Sequence, residues 1–217
     1  MMNVRIQFSK GYEVKYVSHL DLMRTFNRML MRSGLPVSYT QGFNPHIILT
    51  FAQPLSVGVT SDGEYAEFQM EEQCTFDEIK DKLNAAAPEG IEILKVTDEL
   101  APKFKELYAA AYEVTLQCNQ PKEALLNVLN REVIPVEKKT KKGLKEINIK
   151  PLLFDFSIEE EAESLMLRLK LASGSERNLN PDLLLKAFEK EIPGFRMDYK
   201  SVHRIKLLTK ENEELMK

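Results

Sequence analysis

The order strand, helix, strands, helix, strand is written twice along this chain, at a spacing of about 110 residues. That doubling restricts the fold more than any single motif. In the first half, Val4, Ile6 and Phe8 alternate with Arg5 and Gln7, the period of a strand buried on one face. A helix is expected over residues 18–33, with Ser18 as N-cap, Asp21 in the first turn, Val17 stapled against Leu22, and Gly34 as the left-handed stop. Short strands are predicted at residues 36–40, 47–51 and 63–70, the last after a turn signal at Asp62-Gly63. A second helix starts at Thr75, where Glu78 completes a capping box, and residues 91–96 close the half as a strand.

The second half begins with a strand at residues 112–117 and a helix at 121–131. Strands at 133–138 and 144–150 flank a lysine-rich turn at Gly143, and residues 152–158 form or extend a strand. Leu165, Leu167, Leu169 and Leu171 alternate with Met166, Arg168 and Lys170, the clearest strand of the chain. Asn180-Pro181-Asp182 opens a helix that Pro193-Gly194 ends, and residues 202–208 form the final strand. The expected fold is therefore α+β, two tandem ferredoxin-like units with mainly antiparallel sheets. Residues 1–98 form the first unit, 99–110 a linker, 111–209 the second unit, and 210–217 a frayed charged tail.

Composition excludes several kinds of chemistry. The two cysteines, Cys74 and Cys118, lie far apart and read as buried thiols of a reducing compartment. No Cys/His spacing suits zinc and no cysteine triplet could hold an iron–sulfur cluster, so no metal site is expected. No apolar run approaches the ~18–20 residues needed to span a bilayer, and no leader pattern opens the sequence, so a cytoplasmic protein without a membrane partner is expected. The net charge of −3 gives no global attraction to nucleic acid, so any such binding must come from a local basic surface.

Two segments offer that surface. On a helical wheel, Leu22, Phe26, Met29 and Leu30 fall on one side, with Met23 at its margin, while Arg24, Arg28 and Arg32 fall on the other. A row of guanidinium groups one turn apart can meet successive phosphates; the same pattern also describes a solvated polar face, with Asp21 paired to Arg24. The turn that follows, residues 41–46, combines Gln41, Gly42, Asn44 and His46 around Pro45. Gly42 permits a positive φ, and such a polar, stiffened loop suits a ligand as well as a simple reversal. Lys138, Lys139, Lys141, Lys142 and Lys145 form the second basic segment, fitted to a phosphate backbone or to the protection of a hairpin tip. His19, Asp21 and His46 are the candidate acid–base groups, but neither a phosphate loop nor a nucleophile elbow accompanies them.

The segment Tyr16-Val17-Ser18-His19-Leu20-Asp21-Leu22 with Arg24 and Arg28, the turn Gln41-Gly42-Phe43-Asn44-Pro45-His46, and Pro54-Leu55-Ser56-Val57-Gly58-Val59 resemble a bacterial radical-SAM-linked family. This is a domain of unknown function encoded beside, or fused to, a radical S-adenosylmethionine protein. The resemblance extends more loosely through Lys141-Lys142-Gly143 to Ile149-Lys150-Pro151. Where that family places a proline and a basic residue after the turn histidine, this chain has Ile47 and Ile48, which shifts any cationic role to Arg24 and Arg28. The resemblance implies a radical SAM partner, which would supply the iron–sulfur cluster and the S-adenosylmethionine. Three functions follow as expectations: a non-catalytic accessory protein that binds or presents RNA, a small-molecule or nucleotide-modifying enzyme using His19, Asp21 and His46, or a protein–protein adaptor.

Overall fold

A computed structural model of the chain describes residues 1–140 and 143–216, with Lys139 and Thr140 described by their backbone alone. The fold is mixed α+β with mainly antiparallel sheet and, among the described residues, four helices. The chain divides into two compact units, Met1–Leu107 with the residues from Lys206 onward, and Tyr108–Ile205. The boundary falls inside a strand rather than in a linker, because residues 107–110 already belong to that strand.

The first unit runs β1 (Met2–Lys10), α1 (His19–Arg32), β2 (Leu49–Phe51), β3 (Val59–Met70), α2 (Phe76–Ala86) and β4 (Ile91–Thr97). Its strands lie in the order β4-β1-β3, with β2 also on β3, and the β1/β3, β1/β4 and β2/β3 pairings are antiparallel. The apolar face of β1, Val4, Ile6 and Phe8, packs in one core with Leu22, Phe26, Met29 and Leu30 of α1 and Ile79 and Leu83 of α2. The helical wheel thus located the buried face of α1. Phe26 meets Phe8 at 4.6 Å and Phe51 edge-on at 5.1 Å, a tilted aromatic group that fixes α1 against the sheet.

Several details differ from the sequence expectation. β1 is buried on both faces rather than one, since Arg5, Gln7 and Lys10 are buried as well as its apolar residues. Residues 36–40 form no strand and make only isolated bridges, Val37 to Met70 and Tyr39 to Ile47. Asp62-Gly63 is no turn: it lies within β3, where Phe8 pairs with Glu64 but Lys10 with Ser61, so β3 carries one extra residue as a bulge. Thr75 caps α2 by accepting from the Glu78 N–H, but the Glu78 carboxylate pairs with Lys82 at 2.8 Å rather than reaching back to the cap. The two cysteines are free and only half-buried.

The tail differs most from expectation. After β10 (Met197–Thr209), which begins in the second unit and ends in the first, the chain turns with Asn212 in the left-handed region at φ 66°. Residue 208 then bridges residue 214, and Leu215 and Met216 are buried. Apolar side chains at two consecutive positions, with a backbone carbonyl wanted by Arg5, override the charged composition around them.

The second unit runs β5 (Leu107–Cys118), α3 (Lys122–Leu129), β6 (Pro135–Thr140), β7 (Gly143–Asn148), β8 (Leu153–Glu161), β9 (Ser164–Ala172), α4 (Pro181–Glu191) and β10. Its main sheet has the order β10-β5-β9-β8, and β6 and β7 pair with each other as a separate hairpin. The alternating leucines of β9 are buried, and Asn180 caps α4 by accepting from the Asp182 N–H.

Candidate nucleic-acid interface

The helix that carries the candidate arginines is well specified at its start. The Ser18 hydroxyl accepts from the Asp21 N–H at 3.2 Å and donates to the Asp21 carboxylate at 2.7 Å. Arg24 donates to the other carboxylate oxygen at 2.9 Å. The Ser18 hydroxyl and then the Arg24 guanidinium hold the Asp21 carboxyl below its usual range. A lowered folded-state value stabilises the fold above the ordinary carboxylate range, near ~3.9, and that contribution is lost as pH falls through the depressed value. Ser18→Ala is expected to cost about 1 kcal/mol in urea unfolding and to move the Asp21 titration, followed by NMR, upward toward the ordinary range. At neutral pH Asp21 is an ionised acceptor with its oxygens engaged, which disfavours it as a general acid.

The three arginines have different surroundings. Arg24 and Arg28 are exposed. Arg24 is tied to Asp21, while Arg28 makes no hydrogen bond or ion pair among the described residues. Arg32, also exposed, donates to the Ala86 carbonyl at 2.7 Å, in the last turn of α2, where a cation also suits the helix dipole. The loop at 41–46 stands outside the core: all six residues are exposed, and Phe43 is 106% accessible. Gly42 does adopt a positive φ, 131°, with nothing near the place of a side chain. The base of the loop is closed by Thr40 and His46, whose backbone N–H and C=O join at 2.8 Å, and the His46 ring lies 3.1 Å from the Thr40 hydroxyl. Gln41 and Asn44 present their side chains to solvent.

His19 is half-buried and meets Phe51 edge-on at 5.7 Å. His46 engages Thr40 and the Asn44 carbonyl, and Asp21 engages Ser18 and Arg24. No described contact joins the three candidate acid–base groups, and the 620 Å³ cavity of this unit is lined by none of them. Among the described residues no group of three or more His, Cys, Asp or Glu side chains is placed to hold a metal ion. No helix among them is long and apolar enough to cross a membrane.

Sequence reasoning passed over the turn just before α1. Tyr12 and Tyr16 are 70% and 73% exposed, and the Lys15 ammonium lies 3.5 Å from the Tyr12 ring centre and 5.1 Å from that of Tyr16. The turn is braced from two sides. Lys10, almost fully buried, donates to the Lys15 and Val17 carbonyls at 3.0 and 3.1 Å. Gly58, at φ 85°, donates its N–H to the Lys15 carbonyl at 2.8 Å, and a side chain at that position would touch Tyr16. Two tyrosines around a lysine within five residues were the available signal, but only the structure shows both rings outside the core.

In the second unit the hairpin of β6 and β7 places Lys138 directly opposite Lys145, both exposed. Like charges across a hairpin repel, so an anion between them would be stabilising. The neighbouring pair, Glu137 and Glu146, is likewise of one sign, and Lys190 of α4 relieves it by binding Glu146 at 2.8 Å. Lys139 sits on β6, and Lys141 and Lys142 lie outside the described residues.

The fold and these surfaces define an α+β protein of two units with cationic and aromatic groups on its exterior. The chain belongs to a family described as uncharacterized protein conserved in bacteria (DUF2344), whose pattern matches residues 3–181, a span holding α1, the 41–46 loop and the lysine hairpin. A comparison with curated proteins finds no match. Among solved structures, the chain is similar to one from the crystal structure of a Cbf5-Nop10-Gar1 complex, with a TM-score of 0.51 and 10% identity over 94% of this chain. It spans 48% of that chain, and at this identity the likeness concerns the fold alone. An unknown protein from Galdieria sulphuraria matches over 94% of this chain and 98% of its own at 14% identity, with a TM-score of 0.25.

Proposed function

We propose that this protein is a non-catalytic accessory protein that binds RNA, or presents an RNA substrate, for a radical SAM enzyme in the cytoplasm. The observation that carries the RNA reading is the braced turn: two exposed tyrosine rings flank a lysine, immediately before a helix whose Arg24 and Arg28 face solvent. Unpaired bases stack on such rings, and the cations meet the phosphates. Exposed Phe43 and the Lys138–Lys145 pair would add a further stacking face and a further phosphate contact. The strand order β4-β1-β3-β2 in the first unit and β10-β5-β9-β8 in the second supports reading both as ferredoxin-like, a layout that RNA-recognition modules share by analogy. The radical SAM partner rests on the family resemblance; the iron–sulfur cluster and the S-adenosylmethionine would be the partner's.

The test is a fluorescence-anisotropy titration of a single-stranded RNA of about 20 nucleotides. Arg24→Ala with Arg28→Ala should weaken binding about tenfold at low salt. It should also flatten the slope of log affinity against log salt by roughly 1–2, two phosphate contacts being lost. Tyr12→Ala with Tyr16→Ala should weaken binding at all salt concentrations and leave the slope unchanged. Binding that both double variants leave intact across salt would remove this face as the RNA surface.

A further inference from the structure

The first unit's sheet ends in an open edge. β4 is the last strand in the order β4-β1-β3, so one side of its backbone has no strand beside it among the described residues. At Ile93 that side is closed by a side chain: the Asn84 carboxamide accepts from the Ile93 N–H at 2.8 Å and donates to its carbonyl at 3.1 Å. A carboxamide bonded in both directions imitates the peptide group of a neighbouring strand. It shields one residue and stops there. From Leu94, the extra residue where β4 bulges between Ile93 and Lys95, to Thr97 no strand pairs with this edge among the described residues, and these four consecutive residues line a cavity of about 620 Å³. Beyond the bulge, Lys95, Val96 and Thr97 point alternately to the two faces of the sheet, so the cavity that all three line runs along the strand's edge. Phe76, Asp77 and Lys80 of α2 form one wall, and the opposite wall comes from residues 99–106 and 213–216.

A helix on one side, a second wall opposite and an unpaired edge strand as the floor make a groove suited to an added strand. Main-chain hydrogen bonds then supply affinity, and the walls supply selectivity. Charge decides what enters. Five carboxylates line the groove, from Asp77, Glu99, Glu106, Glu213 and Glu214, against two ammoniums, from Lys80 and Lys95. Glu106 accepts from the Lys103 N–H and Glu214 lies 3.5 Å from Lys206, while Asp77, Glu99 and Glu213 have no side-chain partner among the described residues. A second copy of this chain pairing through its own β4 would bring two acidic walls together, which repulsion opposes. We infer that the groove along Leu94–Thr97 receives an extended, lysine- or arginine-rich segment of a partner protein as an added strand beside β4. This inference does not rest on the RNA reading, since it uses none of the residues of the tyrosine turn or of α1.

The probe is a fluorescein-labelled heptapeptide of alternating lysine and valine, titrated into the full chain at low salt. It should bind at least tenfold more tightly than the glutamate–valine peptide of the same length. It should also bind at least tenfold more tightly than the same lysine–valine peptide with every backbone amide N-methylated, which removes the donors of both edges from the peptide and leaves the protein untouched. Asp77→Asn, Glu99→Gln and Glu213→Gln together should weaken binding about tenfold with an unchanged melting temperature, and amide shifts should concentrate on Leu94–Thr97. Arg24→Ala with Arg28→Ala should leave this binding unaltered, so its outcome is separate from that of the RNA titration. Equal binding of the acidic or the N-methylated peptide, absence of binding by the basic one at millimolar concentration, or shifts lying elsewhere would overturn the inference.

Discussion

Arg5→Met is expected to lower the unfolding free energy by roughly 3–5 kcal/mol, read from the urea midpoint at constant slope. Arg5 stands on β1 with no exposed side-chain surface. Its Nε and Nη2 donate to one Glu67 oxygen at 2.9 and 2.6 Å, Nη1 to the Leu215 carbonyl at 2.8 Å, and Nη2 also to the Leu100 carbonyl at 2.7 Å. The guanidinium lies 4.9 Å from the centre of the Phe104 ring. Methionine fills much of the volume but leaves a carboxylate and two carbonyls without donors, and unmade bonds of this kind are costlier than the bonds are worth. Arg5→Lys should recover only part of the loss, since one ammonium cannot reach three acceptors in a fixed fork. Arg5→Met with Glu67→Leu should be less destabilised than Arg5→Met alone, because the stranded charge is gone. A neutral Arg5→Met would show that this buried fork does not hold the sheet to the tail.

Removing residues 213–217 should cost a similar amount, about 3–6 kcal/mol in a thermal or urea melt. Leu215 and Met216 are 1% and 6% exposed, and each such side chain contributes about 1.5–3 kcal/mol when buried. The deletion also takes away the Leu215 carbonyl that Arg5 uses and the backbone bond from the Thr209 N–H to the Glu213 carbonyl at 2.9 Å. Combined with Arg5→Met, the losses should add to less than their sum, because both changes break the same hydrogen bond. A shortened chain that melts where the full one does would return the tail to the frayed state its charges suggest.

These two predictions also mark where the sequence stopped being readable. The inner face of α1 was legible because Leu22, Phe26, Met29 and Leu30 share one helical face, a pattern that needs no partner to be seen. The caps at Ser18, Thr75 and Asn180 were legible for the same reason, since each acts within three residues. The burial of Arg5, Gln7 and Lys10 was not, because what covers them is distant in the chain or, for Lys10, a turn with no periodic signature. Local alternation reports only whether a strand has an apolar face, and β1 buries Arg5 and Lys10 by bonding their cations to carbonyl and carboxylate oxygens instead. The Asp62-Gly63 pair was recognised as special, but a bulge and a hairpin turn use the same residues, and only the pairing register separates them.

For the candidate interface, sequence located α1, the 41–46 loop and the lysine hairpin, each a local concentration of charge or turn residues. It could not rank the arginines, since whether Arg32 is engaged by the Ala86 carbonyl depends on where α2 ends. Nor could it single out Tyr12 and Tyr16 among seven tyrosines, because Tyr65 and Tyr112, just as apolar in composition, are buried in strands. His19, Asp21 and His46 looked alike as titratable groups flanking the same basic segment, although His46 lies far from the other two in the chain. The structure gives each its own local partners.

The bond between Arg5 and Leu215 joins residues separated by 210 positions, and it has a consequence for synthesis. A ribosome makes β1 well before the carbonyl of Leu215, with the whole of Tyr108–Ile205 translated in between. At the usual pace of about 5–20 residues per second, Arg5 waits on the order of ten seconds or more for its final acceptor. The second unit is contiguous in sequence and can mature while the first still lacks its closing strand end. Of the two units, the one begun first is therefore the one completed last, and released chains that end at residue 205 should be protease-sensitive over residues 1–107 and resistant over 108–205.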